Sequence, residues 1–123
     1  MLAGPRIVIA LGMLGAFRLA SGAVTVTAPD TVATRVQTLL HANYVGRQKL
    51  AVVDRVITLE KRLGAYRAAK TKEQLVLRLN ADLWVATRDR RISVHEQSEL
   101  APAGIRPVVL GQDLQLYIPE GRP

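Results

Sequence analysis

Apolar residues recur at helical spacing from Asp30 to about Asp89, within a stretch, residues 30–101, that contains no proline. Two isolated glycines, Gly46 and Gly64, interrupt it. Glycine and proline are the strongest local breaks in regular structure, so this pattern predicts three helices. Each of them is apolar along one side, and the three apolar faces are therefore expected to pack against one another.

The first two predicted helices meet at Gly46. The first starts after Pro29 with the Asp30 carboxylate as its N-cap, and Gly46 is expected in the left-handed position after its last turn. The second runs from about Gln48 to Leu63 and is expected to be the most buried. The apolar face of the first comprises Val32, Val36, Leu39 and Leu40; the stripe of the second comprises Val52, Val56, Leu59 and Leu63, widened by Val53 and Ile57.

The third predicted helix has the clearest start. Thr71 and Gln74 stand in the T-x-x-Q order of a capping box, in which the hydroxyl accepts the Gln74 N–H and the Gln74 side chain reaches back. Arg78 and Asp82 are four residues apart, so an ion pair between them is predicted on the polar side. The apolar stripe comprises Leu75, Val76, Leu79, Leu83 and Ala86.

After Asp89 the spacing of apolar residues changes to alternation, which is typical of strands. Residues 92–95 are predicted to form a short strand, and residues 108–110 and 114–118 a hairpin around residues 111–113. The predicted fold class is therefore mainly α, a three-helix bundle followed by a short strand and a C-terminal β-hairpin. The bundle and its strand form residues 30–96, and the loop and hairpin form residues 97–123.

The leading segment has the order of a secretory signal peptide. Arg6 precedes an apolar run at residues 7–17, and small residues follow at Ser21 and Ala23. We expect a signal peptide at residues 1–23, a linker at residues 24–29, and an exported protein that is periplasmic or secreted. The run is too short for a permanent membrane span. An uncleaved amphiphilic tail and a mitochondrial presequence are the alternatives.

Composition limits the chemistry. The chain of 123 residues has no cysteine, which excludes disulfides, thiolate zinc sites and cysteine nucleophiles. It has 17 Lys and Arg against 10 Asp and Glu, a formal net charge of +7. Two of the cations belong to the leading segment, but the remainder is still basic. Such a surface suits nucleic acid, anionic lipid or an acidic protein.

Arg88, Arg90, Arg91 and His95 are the candidate partner-binding residues, because they form a basic cluster after the third helix. The alternative is a solvated helix end, where cations also meet the helix dipole. Two lone histidines, His41 and His95, are not expected to bind a metal, and no cofactor is expected. Of Ser93 and Ser98, neither lies in a Gly-x-Ser-x-Gly turn or beside an evident base, so no catalytic residue is predicted.

Short phrases of the chain resemble the N-terminal helical domain of the C-terminal-processing (tail-specific) serine peptidases, in particular the members similar to interphotoreceptor retinoid-binding protein. Residues 39–45 read Leu-Leu-His-Ala-Asn-Tyr-Val, residues 62–66 read Arg-Leu-Gly-Ala-Tyr, and residues 79–83 read Leu-Asn-Ala-Asp-Leu. Asp89 and the strand at residues 92–94 follow at the family's spacing. The resemblance covers residues 31 to about 96.

The resemblance implies an enzyme family but not an active enzyme. In this family the nucleophile lies in a large core downstream of the helical domain, and the chain ends before such a core. Relatives carry a histidine where Arg91 stands, and arginine is not a general base near neutral pH. We therefore expect a non-catalytic docking or cap module for a peptide, an apolar ligand or a peptidase-like protein, or else a truncated peptidase. The alternative is a basic helical module that binds nucleic acid or an anionic surface.

Overall fold

The computed structural model describes residues 28–121. The predicted signal peptide lies outside them. Three helices and a three-stranded antiparallel sheet follow one another, which confirms the predicted fold class. In chain order they are α1 (Pro29–Asn43), α2 (Arg47–Leu63), α3 (Lys72–Thr87), β1 (Ser93–Glu96), β2 (Ile105–Gly111) and β3 (Leu114–Pro119). None of the helices in this part of the chain is both long and apolar enough to cross a membrane.

The two ends of α1 differ from the prediction. Pro29 is itself in the first turn, where its missing N–H costs nothing, and Ala28 takes the cap position, so the prediction of an Asp30 cap was wrong. Gly46 is not left-handed either, because α1 ends at Asn43 with Tyr44 as its C-cap, and Gly46 becomes the N-cap of α2 with φ −79°. The Tyr44 side chain is buried against Gly46.

The prediction that α2 is the most buried helix was also wrong. Only Leu50, Val53 and Ile57 are buried in α2, whereas Leu59 and Leu63 are exposed. The reason is the layer order. α2 packs against α1 and α3, while α1 and α3 also contact the sheet. α3 is therefore covered from two sides and contributes the larger set of buried residues, which comprises Leu75, Leu79, Asp82, Leu83, Ala86 and Thr87.

A buried hydrogen bond ties α3 to the turn after α2. The Tyr66 hydroxyl donates to Asp82 Oδ2 over 2.8 Å, and both residues are buried. Arg78 lies 3.9 Å from Asp82 as its i,i+4 partner, but Asp82 faces inward rather than toward the predicted polar side. Burial raises the pKa of the Asp82 carboxyl, and the pKa of the Tyr66 hydroxyl is raised for the same reason.

The predicted start of α3 is confirmed. The backbone N–H of Gln74 donates to Thr71 Oγ1 over 3.2 Å, and the Gln74 side chain reaches back to the N–H of Lys70 over 2.6 Å. Two N–H groups at the helix start are thereby paired by side chains, although Gln74 accepts from Lys70, one residue before the N-cap, rather than from Thr71 itself as in the standard capping box.

Replacing Thr71 with alanine is expected to lower the free energy of unfolding by about 1 kcal/mol, because the Gln74 N–H loses its acceptor. Urea denaturation followed by circular dichroism measures this loss. Thr71→Ser is the matched control, since it keeps the hydroxyl and should unfold close to the wild type. Equal losses in the two variants would contradict the assignment of the cap.

The sheet has the order β1-β3-β2, so the last strand in the sequence is the central one. β2 and β3 form the predicted hairpin, with Gln112 and Asp113 both at positive φ in the turn. β2 starts earlier than predicted, at Ile105, and includes Pro107. The residues that β3 turns toward the helices, all of them buried, are Leu114, Leu116 and Ile118. The opposite face of the sheet carries the candidate site.

Candidate functional site

A surface depression of about 300 Å³ lies on the face of the sheet that turns away from the helices. It collects three of the four residues that the sequence predicted to bind a partner, namely Arg90, Arg91 and His95. Its other lining residues are Ser93, Pro102, Ile105 and Tyr117. The fourth predicted residue, Arg88, is not among the lining residues and is the C-cap of α3.

Arg88 and Arg90 are held by one indole ring. Their guanidinium carbons lie 5.2 and 4.1 Å from the centroid of the Trp84 ring, within the range of a cation–π contact. Trp84 is half-buried and is not part of the apolar core. Neither arginine has a carboxylate partner in the described part of the chain.

The backbone at Arg88 is in a costly conformation. Arg88 is the C-cap of α3 with φ 53°, in the left-handed region that a residue with a Cβ adopts only at a cost of about 1 kcal/mol or more. Its N–H bonds to the Trp84 carbonyl over 2.9 Å and ends the helix. The chain therefore keeps an arginine at a position that favours glycine.

Arg91 has a different role from its neighbours. Its Nε and Nη2 donate to the two carboxylate oxygens of Asp89 over 2.9 and 2.7 Å, a bidentate pair. These hydrogen bonds hold the pKa of the buried Asp89 carboxyl below its usual range. The Thr87 hydroxyl accepts the Asp89 N–H over 3.1 Å and fixes the turn from α3 into β1. Arg91 is thus committed within the fold.

Ser93 and His95 are in contact, which corrects the prediction that neither serine stands beside a base. Alternate residues of a strand face the same side, and the Ser93 Oγ lies 2.6 Å from His95 Nε2. The other ring nitrogen, Nδ1, lies 2.7 Å from Glu99 Oε2. The ring stacks on Tyr117 with centroids 3.8 Å apart. Alternation along a strand accounts for the shared face of Ser93 and His95, whereas no sequence pattern predicts the course of the loop that carries Glu99.

Asn80 fixes β1 and closes its free edge. Its side-chain amide donates to the Val94 carbonyl over 3.0 Å and accepts the Val94 N–H over 2.6 Å. The backbone groups that a further strand would use on this side are therefore taken. On the outer edge of β2, Pro107 has no N–H to offer. A further strand would therefore find no free backbone pair at Val94 and no N–H donor at Pro107.

The described residues contain no group of three or more His, Cys, Asp or Glu side chains that could hold a metal ion. Each histidine contacts a single carboxylate. His41 Nε2 lies 2.8 Å from Asp54, and His95 Nδ1 lies 2.7 Å from Glu99. A pair of this kind supplies too few ligands for a zinc site.

One comparison with known proteins gave a match. The model of a family described as the N-terminal domain of peptidase S41 in eukaryotic IRBP matches residues 22–112. The matched range includes the phrases at residues 39–45, 62–66 and 79–83. No curated protein and no solved structure matched the chain.

Proposed function

Since the chain belongs to the family of N-terminal domains of S41 peptidases, we propose that residues 28–121 act as a docking module that does not itself cleave peptides. The occupant that we propose is an acidic segment of a polypeptide. It binds through the guanidinium groups of Arg88 and Arg90, which together with Trp84 are called the arginine–tryptophan patch below.

The observation that carries this proposal is the pair of uncompensated cations on one ring. Arg67, Lys72, Arg78 and Arg91 lie within 4.0 Å of carboxylates in the fold. Arg88 and Arg90 lie on the indole with no such partner in the described chain, and both are exposed. Stacking holds the guanidinium groups in place, so less side-chain entropy is lost when they bind an anion. The costly φ of Arg88 is consistent with a residue kept for binding.

An acidic polypeptide fits this patch better than a nucleic acid. Two guanidinium groups can pair with two carboxylates in bidentate fashion, as Arg91 already does with Asp89. Duplex binding of ordinary strength relies on several phosphate contacts along a basic stripe. The half-buried ring of Trp84 and the neighbouring Val85, which is 55% exposed, add apolar area of the kind that protein interfaces use.

Export forms part of the proposal. The apolar run at residues 7–17 supports a signal peptide, and the family match begins at residue 22, next to the predicted cleavage after Ala23. The docking module would then work in the periplasm or outside the cell.

The test uses the fluorescence of Trp84, which is the only tryptophan of the chain. A synthetic peptide with two adjacent glutamates is titrated into the protein, next to the same peptide with glutamines. We expect the glutamate peptide, but not the glutamine peptide, to change the fluorescence emission of Trp84. The double variant Arg88→Gln/Arg90→Gln should bind at least about tenfold more weakly, because two charge-assisted hydrogen-bonding groups are lost.

Arg55→Gln is the matched control, since Arg55 is an exposed arginine on α2 and lies outside the patch. It should bind the acidic peptide like the wild type. If Arg55→Gln weakened peptide binding as much as the double variant does, the effect would be one of net charge alone. That result would contradict binding at the arginine–tryptophan patch. A single-stranded oligonucleotide that binds more tightly than the peptide, with a steep loss of affinity in salt, would instead support the basic nucleic-acid module.

A further inference from the structure

Ser93, His95 and Glu99 form a continuous line of hydrogen bonds that the docking proposal does not use. The two distances, 2.6 Å from Ser93 Oγ to His95 Nε2 and 2.7 Å from His95 Nδ1 to Glu99 Oε2, are those of good hydrogen bonds. In this order a hydroxyl is followed by an imidazole and then by a carboxylate. The order matches the nucleophile, base and orienting group of serine acyl transfer.

The tautomer of the ring follows from its partners. A carboxylate only accepts hydrogen bonds, so the neutral imidazole must carry its hydrogen on Nδ1 and donate it to Glu99. Nε2 then presents its lone pair, and the Ser93 hydroxyl donates to it. This is the form in which an imidazole can take a proton from a serine.

The surrounding fold holds this line in place. Asn80 bonds both backbone groups of Val94, the residue between Ser93 and His95. Tyr117 stacks on the ring of His95, and Gln115 donates to the carbonyls of Glu96 and Glu99 over 2.8 Å each. The loop that carries Glu99 is therefore fastened to the central strand. Positioned groups of this kind are what catalysis requires.

The line opens into space where a substrate can lie. Ser93 and His95 both line the depression of about 300 Å³, together with Arg90 and Arg91. Arg91 lines the same depression and uses only Nε and Nη2 for Asp89, so its Nη1 takes no part in that pair. A guanidinium beside the nucleophile stabilises negative charge that develops on an acyl oxygen.

We propose that Ser93 is a nucleophile that hydrolyses small carboxylic esters with a good leaving group, such as short-chain aryl esters. His95 Nε2 takes the hydroxyl proton while Ser93 Oγ bonds to the carbonyl carbon. The carbon–oxygen bond to the alcohol breaks, and the leaving group receives that proton. Water then attacks the acyl-serine, gives its proton to His95, and releases the carboxylic acid as Ser93 regains its hydrogen. Glu99 is a positioning residue, because it acts only through His95.

Two probes test the proposal on the folded chain. A fluorophosphonate should add one phosphonyl group to the peptide that contains Ser93, as read by mass spectrometry. 4-Nitrophenyl acetate should release about one equivalent of nitrophenolate in a burst, as expected for an acyl-enzyme. Ser93→Ala should abolish both signals, whereas Ser98→Ala, the only other serine after residue 23, should keep them.

Glu99→Gln separates chemistry from structure. It keeps the shape of the side chain but removes the charge that fixes the tautomer, so labelling should slow by at least about tenfold and its pH profile should change. Circular dichroism should be unchanged. Labelling that survives Ser93→Ala, or that proceeds equally in urea, would overturn the proposal, as would the absence of any label. The result is independent of peptide binding at Arg88 and Arg90, so the two proposals can fail separately.

Discussion

Replacing Asp82 with alanine is expected to lower the free energy of unfolding by up to about 3 kcal/mol, because a buried hydroxyl then loses its acceptor. Tyr66 is fully buried and donates to Asp82 over 2.8 Å. This hydrogen bond connects the turn after α2 to the middle of α3. Urea denaturation of Asp82→Ala, followed by circular dichroism, gives the loss directly.

The matched control is the double variant Tyr66→Phe/Asp82→Ala, in which donor and acceptor are both absent. Its loss should be smaller than the sum of the losses in the two single variants, because no hydroxyl remains unpaired. Strictly additive losses would contradict the view that this pair acts as a unit.

The Asp82 carboxyl makes the stability of the fold depend on pH, and the direction of its pKa shift gives the sign of this dependence. Burial raises the pKa of Asp82, so the unfolded chain releases this proton more readily than the folded one. Asp82 therefore contributes to the stability of the fold below its pKa in the unfolded chain, which is about 3.9. This stability is lost as the pH rises through the pKa of Asp82 in the folded chain. The hydrogen bonds from Arg91 lower the pKa of Asp89. Asp89 therefore contributes to the stability of the fold at higher pH, and this stability is lost as the pH falls.

Two amide variants measure this contrast. The stability difference between the wild type and Asp82→Asn should fall as the pH is raised from about 3 to about 7, whereas the difference for Asp89→Asn should rise. Chemical denaturation at a series of pH values provides both slopes. Slopes of equal sign would show that at least one of the two environments is wrongly described.

Gly46→Ala is the other substitution with a large expected effect, a loss of about 1–3 kcal/mol from overpacking. The backbone tolerates it, since φ is −79°. The added Cβ would lie 2.5 Å from two carbons of the Tyr44 ring, however, and Tyr44 is only 4% exposed. The ring cannot move away without opening the core.

Thermal or urea unfolding of Gly46→Ala measures the cost of this contact. In the background Tyr44→Leu, which shortens the facing side chain, the same substitution should cost less. An equal cost in both backgrounds would place its origin in the backbone rather than in the ring. Gly104 offers a contrast, because its φ is +81° and no atom lies within 4 Å of an added Cβ, so alanine there is strained by the backbone alone.

The sequence predicts those features of the fold that a few neighbouring residues determine, namely the helix junctions and the start of α3. Gly46 and Gly64 mark the junctions of the helices, and the hydroxyl and amide of Thr71 and Gln74 mark the start of α3. Such signals depend on a few neighbouring residues, and they need no knowledge of the rest of the fold. Gly64 indeed ends α2 at φ 78°.

The predictions from the sequence fail where contacts between elements distant in the chain determine burial or strand pairing. Leu59 and Leu63 continue an apolar stripe in the sequence, but α2 has no sheet on its outer side and they remain exposed. Pro107 is typical of a loop and yet lies at the edge of a strand, where a missing N–H is tolerated. Burial depends on which elements become neighbours, and periodicity does not contain that information.

In the candidate site, too, the sequence predicts which residues cluster but not the tertiary contacts that they make. The basic residues Arg88, Arg90 and Arg91 are visible as a cluster, but their pattern cannot show that Trp84 holds two of them and Asp89 the third. The sequence predicts His95 as a candidate residue, whereas its partner Glu99 is placed by a loop that has no periodic signal.

The central position of β3 sets the order in which a newly made chain can complete its structure. β1 and β2 have their hydrogen-bonding partner only in residues 114–119. A ribosome, which releases the chain from its N-terminus, therefore delivers all three helices before either strand can pair. The sheet, and with it the distance between Ser93 and the loop at Glu99, is settled only when the last few residues of the domain emerge.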